Sequence, residues 1–101
     1  MRATASVLAD AVFVLSSPRI YGFDRASIRD ALVLLLEMPD FVVPDGATIR
    51  RALDLYVRYP HLDFGDAAIV AAMQRDGATV LFSFDRDFDA VPGISRTEPS
   101  P

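Results

Sequence analysis

One stretch of this chain, residues 62–73, limits what the sequence can fold into. Asp63 and Asp66 stand three residues apart, and residues 67–73 carry no charge at all. An acid followed three residues later by a second acid is typical of a helix N-terminus, and Gly77 is a suitable residue to end that helix. A helix that is hydrophobic on every side belongs in the protein interior. The sequence therefore predicts a buried helix with two carboxylates at its N-terminus, which capping alone would also explain.

Composition sets further bounds on the chain. It has 101 residues, of which 51% are hydrophobic and 24% are charged, so we expect one globular domain over residues 1–101. There is no cysteine and one histidine, His61, which excludes disulfides, thiolate chemistry and a histidine zinc cluster. No apolar run has the length of a membrane span, and the first residues do not resemble a signal peptide. We therefore expect a cytoplasmic protein.

The charge balance restricts the ways in which the chain could bind nucleic acid. The formal net charge is −4, which argues against binding through a broad basic surface. It does not argue against an enzyme that holds phosphates through a metal ion. All ten basic residues are arginine, which can bind phosphate through two parallel hydrogen bonds.

The pattern of apolar residues predicts an α/β fold. Helical spacing predicts helices over residues 6–15, 25–37 and 47–59, with Asp24 and Asp45 as N-caps of the second and third. A loop begins at Ser16, Ser17 and Pro18. Short runs of β-forming residues predict strands at 41–43 and at 78–84, the second of them buried, and the tail from Ile94 could add an edge strand. Alternating helices and strands of this kind are typical of a parallel sheet flanked by helices.

Acidic residues recur where chemistry would be expected. Asp10 is the one charge on an apolar helix, although exposure to solvent would also explain it. Asp66 begins the buried helix, and Asp85 follows a strand at the end where open parallel sheets place their sites. If these carboxylates converge, their repulsion is relieved by a hard cation such as Mg²⁺ or Mn²⁺, which prefers oxygen ligands and phosphate. Such a site supports phosphodiester hydrolysis.

Two other motifs fit the second acidic cluster less well. Asp85, Asp87 and Asp89 imitate the start of an EF-hand loop, but Ala90 and Arg96 occupy the positions that require glycine and glutamate. A strand followed by Asp-x-Asp also resembles haloacid-dehalogenase-type phosphatases. In those enzymes the motif lies near the start of a longer chain, so a magnesium-dependent phosphatase is the weakest alternative.

The three acidic segments together resemble PIN-domain ribonucleases, in particular VapC-type toxins. Residues 62–72, Leu-Asp-Phe-Gly-Asp-Ala-Ala-Ile-Val-Ala-Ala, are similar to a helix of that family. Residues 83–88, Ser-Phe-Asp-Arg-Asp-Phe, are similar to its motif after the fourth strand, and residues 7–15 to its earlier acid-bearing helix. The resemblance implies a PIN-like fold and metal-dependent cleavage of single-stranded RNA. It also implies a VapB-type antitoxin as inhibitor and a homodimer as the assembly.

The resemblance also assigns roles to residues. Asp10, Asp66 and Asp85 would be the catalytic acids and the ligands of Mg²⁺ or Mn²⁺, whereas Asp63, Ser83 and Asp87 would be auxiliary. Asp10 stands where the family has glutamate, which shortens that ligand by about 1.5 Å, one carbon–carbon bond.

The family's first strand, which ends in another metal-binding aspartate, has no counterpart in this sequence. We therefore expect a PIN-like fold that lacks the first strand and most of the second, with impaired activity. The alternative is a non-catalytic remnant that binds an antitoxin or a second copy of itself.

Overall fold

The computed structural model describes residues 4–17 and 22–99, without the side chains of Ala5 and Ser6. In this part of the chain there are four helices and two short strands. The helices are α1 (Ala5–Ser16), α2 (Arg25–Leu36), α3 (Gly46–Arg58) and α4 (Phe64–Asp76), and the strands are β1 (Val80–Phe82) and β2 (Ser95–Thr97). A 3₁₀ turn, Arg86–Ala90, lies between the strands.

The helix ends are specified locally, as the sequence predicted. The Asp24 carboxylate accepts a hydrogen bond from Ser27 N at 2.7 Å, and the Asp63 carboxylate accepts one from Asp66 N at the same distance. Each bond satisfies an N–H group that the helix itself leaves unpaired. Gly77 ends α4 at φ 73°, a left-handed conformation that glycine adopts without steric penalty.

Asp45 precedes α3 at the predicted position but does not cap it in the usual way. It has φ 59° and makes no side-chain bond to the helix backbone. Its carboxylate instead accepts hydrogen bonds from the Thr48 hydroxyl and from the guanidinium of Arg75, near the end of α4. The residue therefore joins the start of one helix to the end of the next.

The hydrophobic core is built around α3 and α4. Leu53 of α3 and Ala67 and Val70 of α4 are fully buried, and Leu62 is buried in the turn between these helices. Helices α1 and α2 add Leu8, Val12, Ile28 and Leu32. Helix α4 is thus largely buried, as predicted, although Ile69 on its outer side is exposed.

The two strands are parallel, with Val80 opposite Ser95 and Phe82 opposite Thr97. This confirms the predicted α/β architecture, a parallel sheet with helices packed on it, and the edge strand that follows Ile94. Residues 83–94 form the crossover that a parallel connection requires.

Two strand predictions were wrong in part. At residues 41–43 only Val42 forms a β-bridge, because a run bounded by Pro39 and Pro44 is too short to form a ladder. Strand β1 was predicted to be buried, but Phe82 is 68% exposed and Val80 is exposed as well. The core covers only the face on which Leu81 lies, so alternate side chains point away from it.

Some expectations concern residues outside the described ranges, namely the segment before Thr4, the loop at Pro18 and the last two residues. Within those ranges, no helix has the length and apolar character needed to cross a membrane.

Candidate functional site

The N-terminus of α4 carries the first pair of predicted acids. Asp63 is exposed and its Oδ1 caps the helix, while Asp66 lies in the first turn and is half-buried. Because the rest of the helix is anchored in the core, the backbone that carries these carboxylates is held in place. Ala67, directly after Asp66, is fully buried and fixes this turn against the protein interior.

Arg25 holds the turn that leads into this helix end. Its Nη1 donates hydrogen bonds to Tyr56 O at 2.8 Å and to Leu62 O, the residue before Asp63. Its guanidinium also lies 4.1 Å from the centre of the Tyr56 ring. A cation in the first turn of α2 opposes that helix's dipole, but here it satisfies carbonyl groups at the end of α3. Arg25 therefore sets the position at which α4 begins.

The second group of predicted acids follows β1. The Ser83 hydroxyl accepts a hydrogen bond from Asp85 N at 3.1 Å, and Asp85 Oδ1 accepts one from Asp87 N at 2.9 Å. Asp85 thereby caps the 3₁₀ turn. The Ser83 and Asp85 side chains thus close two consecutive turns beyond the carboxyl end of β1, where open parallel sheets form their sites.

Arg96 of β2 stabilises this segment from the neighbouring strand. Its side chain is only 12% exposed and pairs with Asp89 at 2.8 Å and with Glu98 at 3.3 Å. Its Nη1 also donates to Ser83 O at 3.1 Å. The arginine thus links the residue before the acids to the end of the turn after them.

The two acidic groups interact electrostatically. Burial raises the pKa of Asp66 above its usual value, and the charges of Asp63 and then Asp85 raise it further. Both effects disfavour the ionised carboxylate. Ionisation of Asp66 is therefore opposed first by burial and then by the neighbouring carboxylates.

Asp10 has a different environment. It is exposed on α1 and makes no hydrogen bond or ion pair with any residue in the described ranges. Helix α1 does pack against α4, so both acids belong to neighbouring elements. The predicted convergence of Asp10 with Asp66 and Asp85 stays a prediction.

The chemistry of a divalent cation suits this region, although its ligand set is not closed. Among the described residues, no three histidine, cysteine, aspartate or glutamate side chains are grouped as metal ligands. The Asp66–Asp85 repulsion is nevertheless the kind of interaction that a hard cation relieves, and carboxylate oxygens are its preferred ligands. The donors present are therefore compatible with Mg²⁺ or Mn²⁺.

Sequence reasoning missed Arg25 and Arg96. A signal for Arg25 was available, because a cation immediately after an N-cap is electrostatically unfavourable and calls for a compensating partner. No comparable signal marked Arg96, since its contacts depend on how β2 pairs with β1.

Comparison with known families agrees with the fold. The PIN domain model matches residues 3–94. No curated protein and no solved structure gives a significant match to the chain. The family match covers nearly the whole sequence and includes all the acidic segments described above, so this chain belongs to the PIN domain family.

Proposed function

We propose that the protein is a metal-dependent endoribonuclease of the VapC type that cleaves single-stranded RNA, with residues 1–101 forming one PIN-like domain. The observation that carries the proposal is the PIN family match over residues 3–94, which includes the N-terminus of α4 with Asp63 and Asp66 and the turn after β1 with Asp85. Membership of this family supports nuclease activity in general. The choice of RNA rests on the resemblance of the acidic segments to VapC-type toxins.

Each acid has a distinct proposed role. Asp66 and Asp85, with Asp10, would hold Mg²⁺ or Mn²⁺. When bound, the ion would activate water and stabilise the charge of the phosphodiester displacement. Asp63 positions Asp66 by capping its helix turn, and Ser83 and Asp87 fix Asp85 through the two consecutive turns. The shorter Asp10 side chain would weaken metal binding, so we expect low activity.

The same resemblance suggests partners. A VapB-type antitoxin would bind the protein as its inhibitor, and the protein would form a homodimer. The exposed apolar residues give partners surface to bury, among them Leu34 on α2 and Ile69 on α4.

One observation favours a second candidate, a non-catalytic PIN remnant that binds an antitoxin or itself. In the described residues the acids do not form a group of three metal ligands, and Asp10 has no polar contact there. A remnant would keep the α4 caps, which stabilise the fold, and would have lost catalysis. A magnesium-dependent phosphatase has no comparable support.

A cleavage assay with matched variants decides between the two candidates. The 101-residue chain is incubated with a labelled single-stranded RNA and Mn²⁺, with and without a chelator. Asp66→Asn should reduce cleavage by about 100-fold or more, since losing even an outer-shell partner of a metal ligand lowers activity roughly 10–100-fold. Asp76→Asn is the matched control, because Asp76 lies at the opposite end of the same helix and pairs with Arg75.

The outcomes separate the candidates clearly. Chelator-sensitive cleavage that Asp66→Asn removes and Asp76→Asn retains supports the nuclease. An Asp66→Asn variant that cleaves as fast as its parent would leave Asp66 with a structural role only. A folded parent chain that cleaves no RNA with Mn²⁺ would favour the remnant.

A further inference from the structure

An open cavity of about 590 Å³ lies beside the N-terminus of α4. It is bounded by Phe13 of α1, by the start of α2 and by Phe64 and Asp63 of α4 and its cap. Its volume is in the range of pockets that bind small molecules. Because Asp63 lines this cavity and also caps the turn that bears Asp66, the cavity lies next to the turn that carries Asp66.

Aromatic rings form much of the cavity wall. Phe13 is 76% exposed and Phe23 is 50% exposed, while the Tyr56 and Phe64 rings are buried and meet edge to face, with ring centroids 6.3 Å apart. A phenylalanine side chain that is three-quarters exposed leaves a large apolar surface in water. Proteins that bind single-stranded nucleic acid stack unpaired bases on aromatic rings of this kind.

The charged groups of the cavity favour a neutral ligand with N–H donors. Asp24 and Asp63 both line it, and each uses Oδ1 to cap its own helix. The second oxygen of each carboxylate takes no part in the capping bond. Arg25 also lines the cavity, but its Nη1 bonds to main-chain carbonyl groups. Two carboxylates repel a phosphate, whereas they accept hydrogen bonds from the amino groups of bases.

We propose that this cavity is a subsite for one unpaired nucleobase with an exocyclic amino group, that is adenine, cytosine or guanine rather than uracil. This inference rests on the proposed ribonuclease function, since it assigns the cavity to that enzyme's substrate. The base stacks on Phe13, and its amino group donates to Asp24 or Asp63. The subsite thereby selects unpaired RNA, because a paired base has neither its face nor its amino group free.

The test measures binding without catalysis. Fluorescein-labelled pentamers of adenylate, cytidylate and uridylate are titrated with the protein in the presence of a chelator, and fluorescence anisotropy gives the dissociation constants. We expect the adenylate and cytidylate pentamers to bind at least about fivefold more tightly than the uridylate pentamer. Phe13→Ala should weaken their binding by about tenfold, as loss of an aromatic stacking partner does in single-strand binders.

Two variants keep the test specific. Phe82→Ala is the matched control, because Phe82 is similarly exposed and does not line the cavity. Asp24→Asn keeps the N-cap, since asparagine caps as well as aspartate, but replaces a carboxylate oxygen with an amide. It should reduce the preference for amino-bearing bases and leave the folded structure unchanged by circular dichroism.

Several results would overturn the subsite. The proposal fails if the three pentamers bind equally well, if Phe13→Ala binds them as tightly as the parent does, or if the parent binds none of them. A Phe13→Ala variant that binds the pentamers normally but loses self-association in sedimentation would assign the cavity to a contact between copies. If the parent binds the pentamers selectively but cleaves no RNA with Mn²⁺, the result contradicts the proposed nuclease function and supports the base subsite. If the parent cleaves RNA and neither Phe13→Ala nor the identity of the base changes the rate, the nuclease function stands and the subsite proposal fails.

Discussion

The two acidic pairs of this protein each consist of two aspartates close together in the sequence, but different contacts hold them in place. Asp63 and Asp66 begin a helix whose next residue, Ala67, is fully buried, and Arg25 contacts the turn before it. Asp85 and Asp87 follow a strand whose alternate side chains are exposed and whose acidic segment is held by Arg96. The helical pair is therefore positioned by the hydrophobic core, and the strand pair by polar contacts at the surface. Two acidic pairs in one domain can therefore be held in place by different kinds of contact.

The largest expected contrast between these regions is in packing. Leu53→Ala in the buried α3–α4 layer should lower the free energy of unfolding by about 2–5 kcal/mol, because it leaves a cavity in the core. Phe82→Ala on the exposed face of β1 should change it by less than about 0.5 kcal/mol. Urea denaturation measures both. Similar losses would mean that the exposed sheet face is packed against something in solution.

A second prediction concerns the two arginines. Arg25→Met should lower the free energy of unfolding by about 2 kcal/mol, since it removes charged hydrogen bonds to partly buried carbonyl groups. Arg96→Met should have a smaller effect, because its ion-pair partners Asp89 and Glu98 are about half exposed. Chemical denaturation of the two variants gives the ranking. The reverse order would show that the strand region, not the helical region, limits stability.

The caps give a third, smaller contrast. Asp63→Ala should lower the free energy of unfolding by about 1 kcal/mol, the usual result of losing an N-cap on a long helix. Asp63→Asn should lower it much less, because asparagine is an equally good cap. Thermal melts compare the variants. If alanine and asparagine melt together at the parent's temperature, the Asp63–Asp66 bond contributes nothing to stability.

The smallest effect is the pH dependence, and its sign differs between the regions. The raised pKa of Asp66, due to burial and to Asp63 and Asp85, stabilises the fold below the carboxyl's unfolded pKa. That stability is lost as pH rises through the folded value. Asp66→Asn should therefore raise the free energy of unfolding at pH 7 slightly, by about 0.5 kcal/mol or less after solvent screening.

Asp89 behaves in the opposite way. The hydrogen bond from Arg96 lowers the pKa of Asp89, so its contribution is present above the unfolded pKa and is lost as pH falls through the folded value. Asp89→Asn should flatten the acid side of the stability profile. Melting temperatures of both variants between about pH 3 and pH 8 test the two signs. Slopes of the same sign would contradict this account of the site's electrostatics.

Much of the fold could be predicted from local sequence signals. The caps at Asp24 and Asp63, the terminal glycine Gly77 and the helical spacing gave helix bounds within one or two residues of those observed. The exposure of β1 could not be predicted, because an apolar run looks the same whether one face of a strand is covered or both. The left-handed conformation of Asp45 and its hydrogen bond from Arg75 were also missed, and the second depends on a residue of another helix.

The residues of the candidate site also divide into those that local sequence patterns predicted and those that they did not. The sequence pattern predicted Asp85 just beyond the end of a strand and Asp63 and Asp66 at the start of a helix, as the structure has them. The contacts of Arg25 and Arg96 join residues that are far apart in sequence, so no local pattern could reveal them. The roles of Asp10, Asp66 and Asp85 remain predictions for the cleavage assay.

The order in which the elements pack has a consequence for how the site assembles. Helices α1 to α4 each pack against the next one along the chain, and β1 pairs with β2, whereas the α1–α4 contact spans the helical region. Contacts between elements close in sequence form with the smallest loss of chain entropy. Asp10 is on α1 and Asp66 is on α4, the two helices that this long-range contact joins. Opening of α1 alone would therefore separate them while the α3–α4 layer stays folded, and hydrogen exchange should show α1 as the faster-exchanging helix.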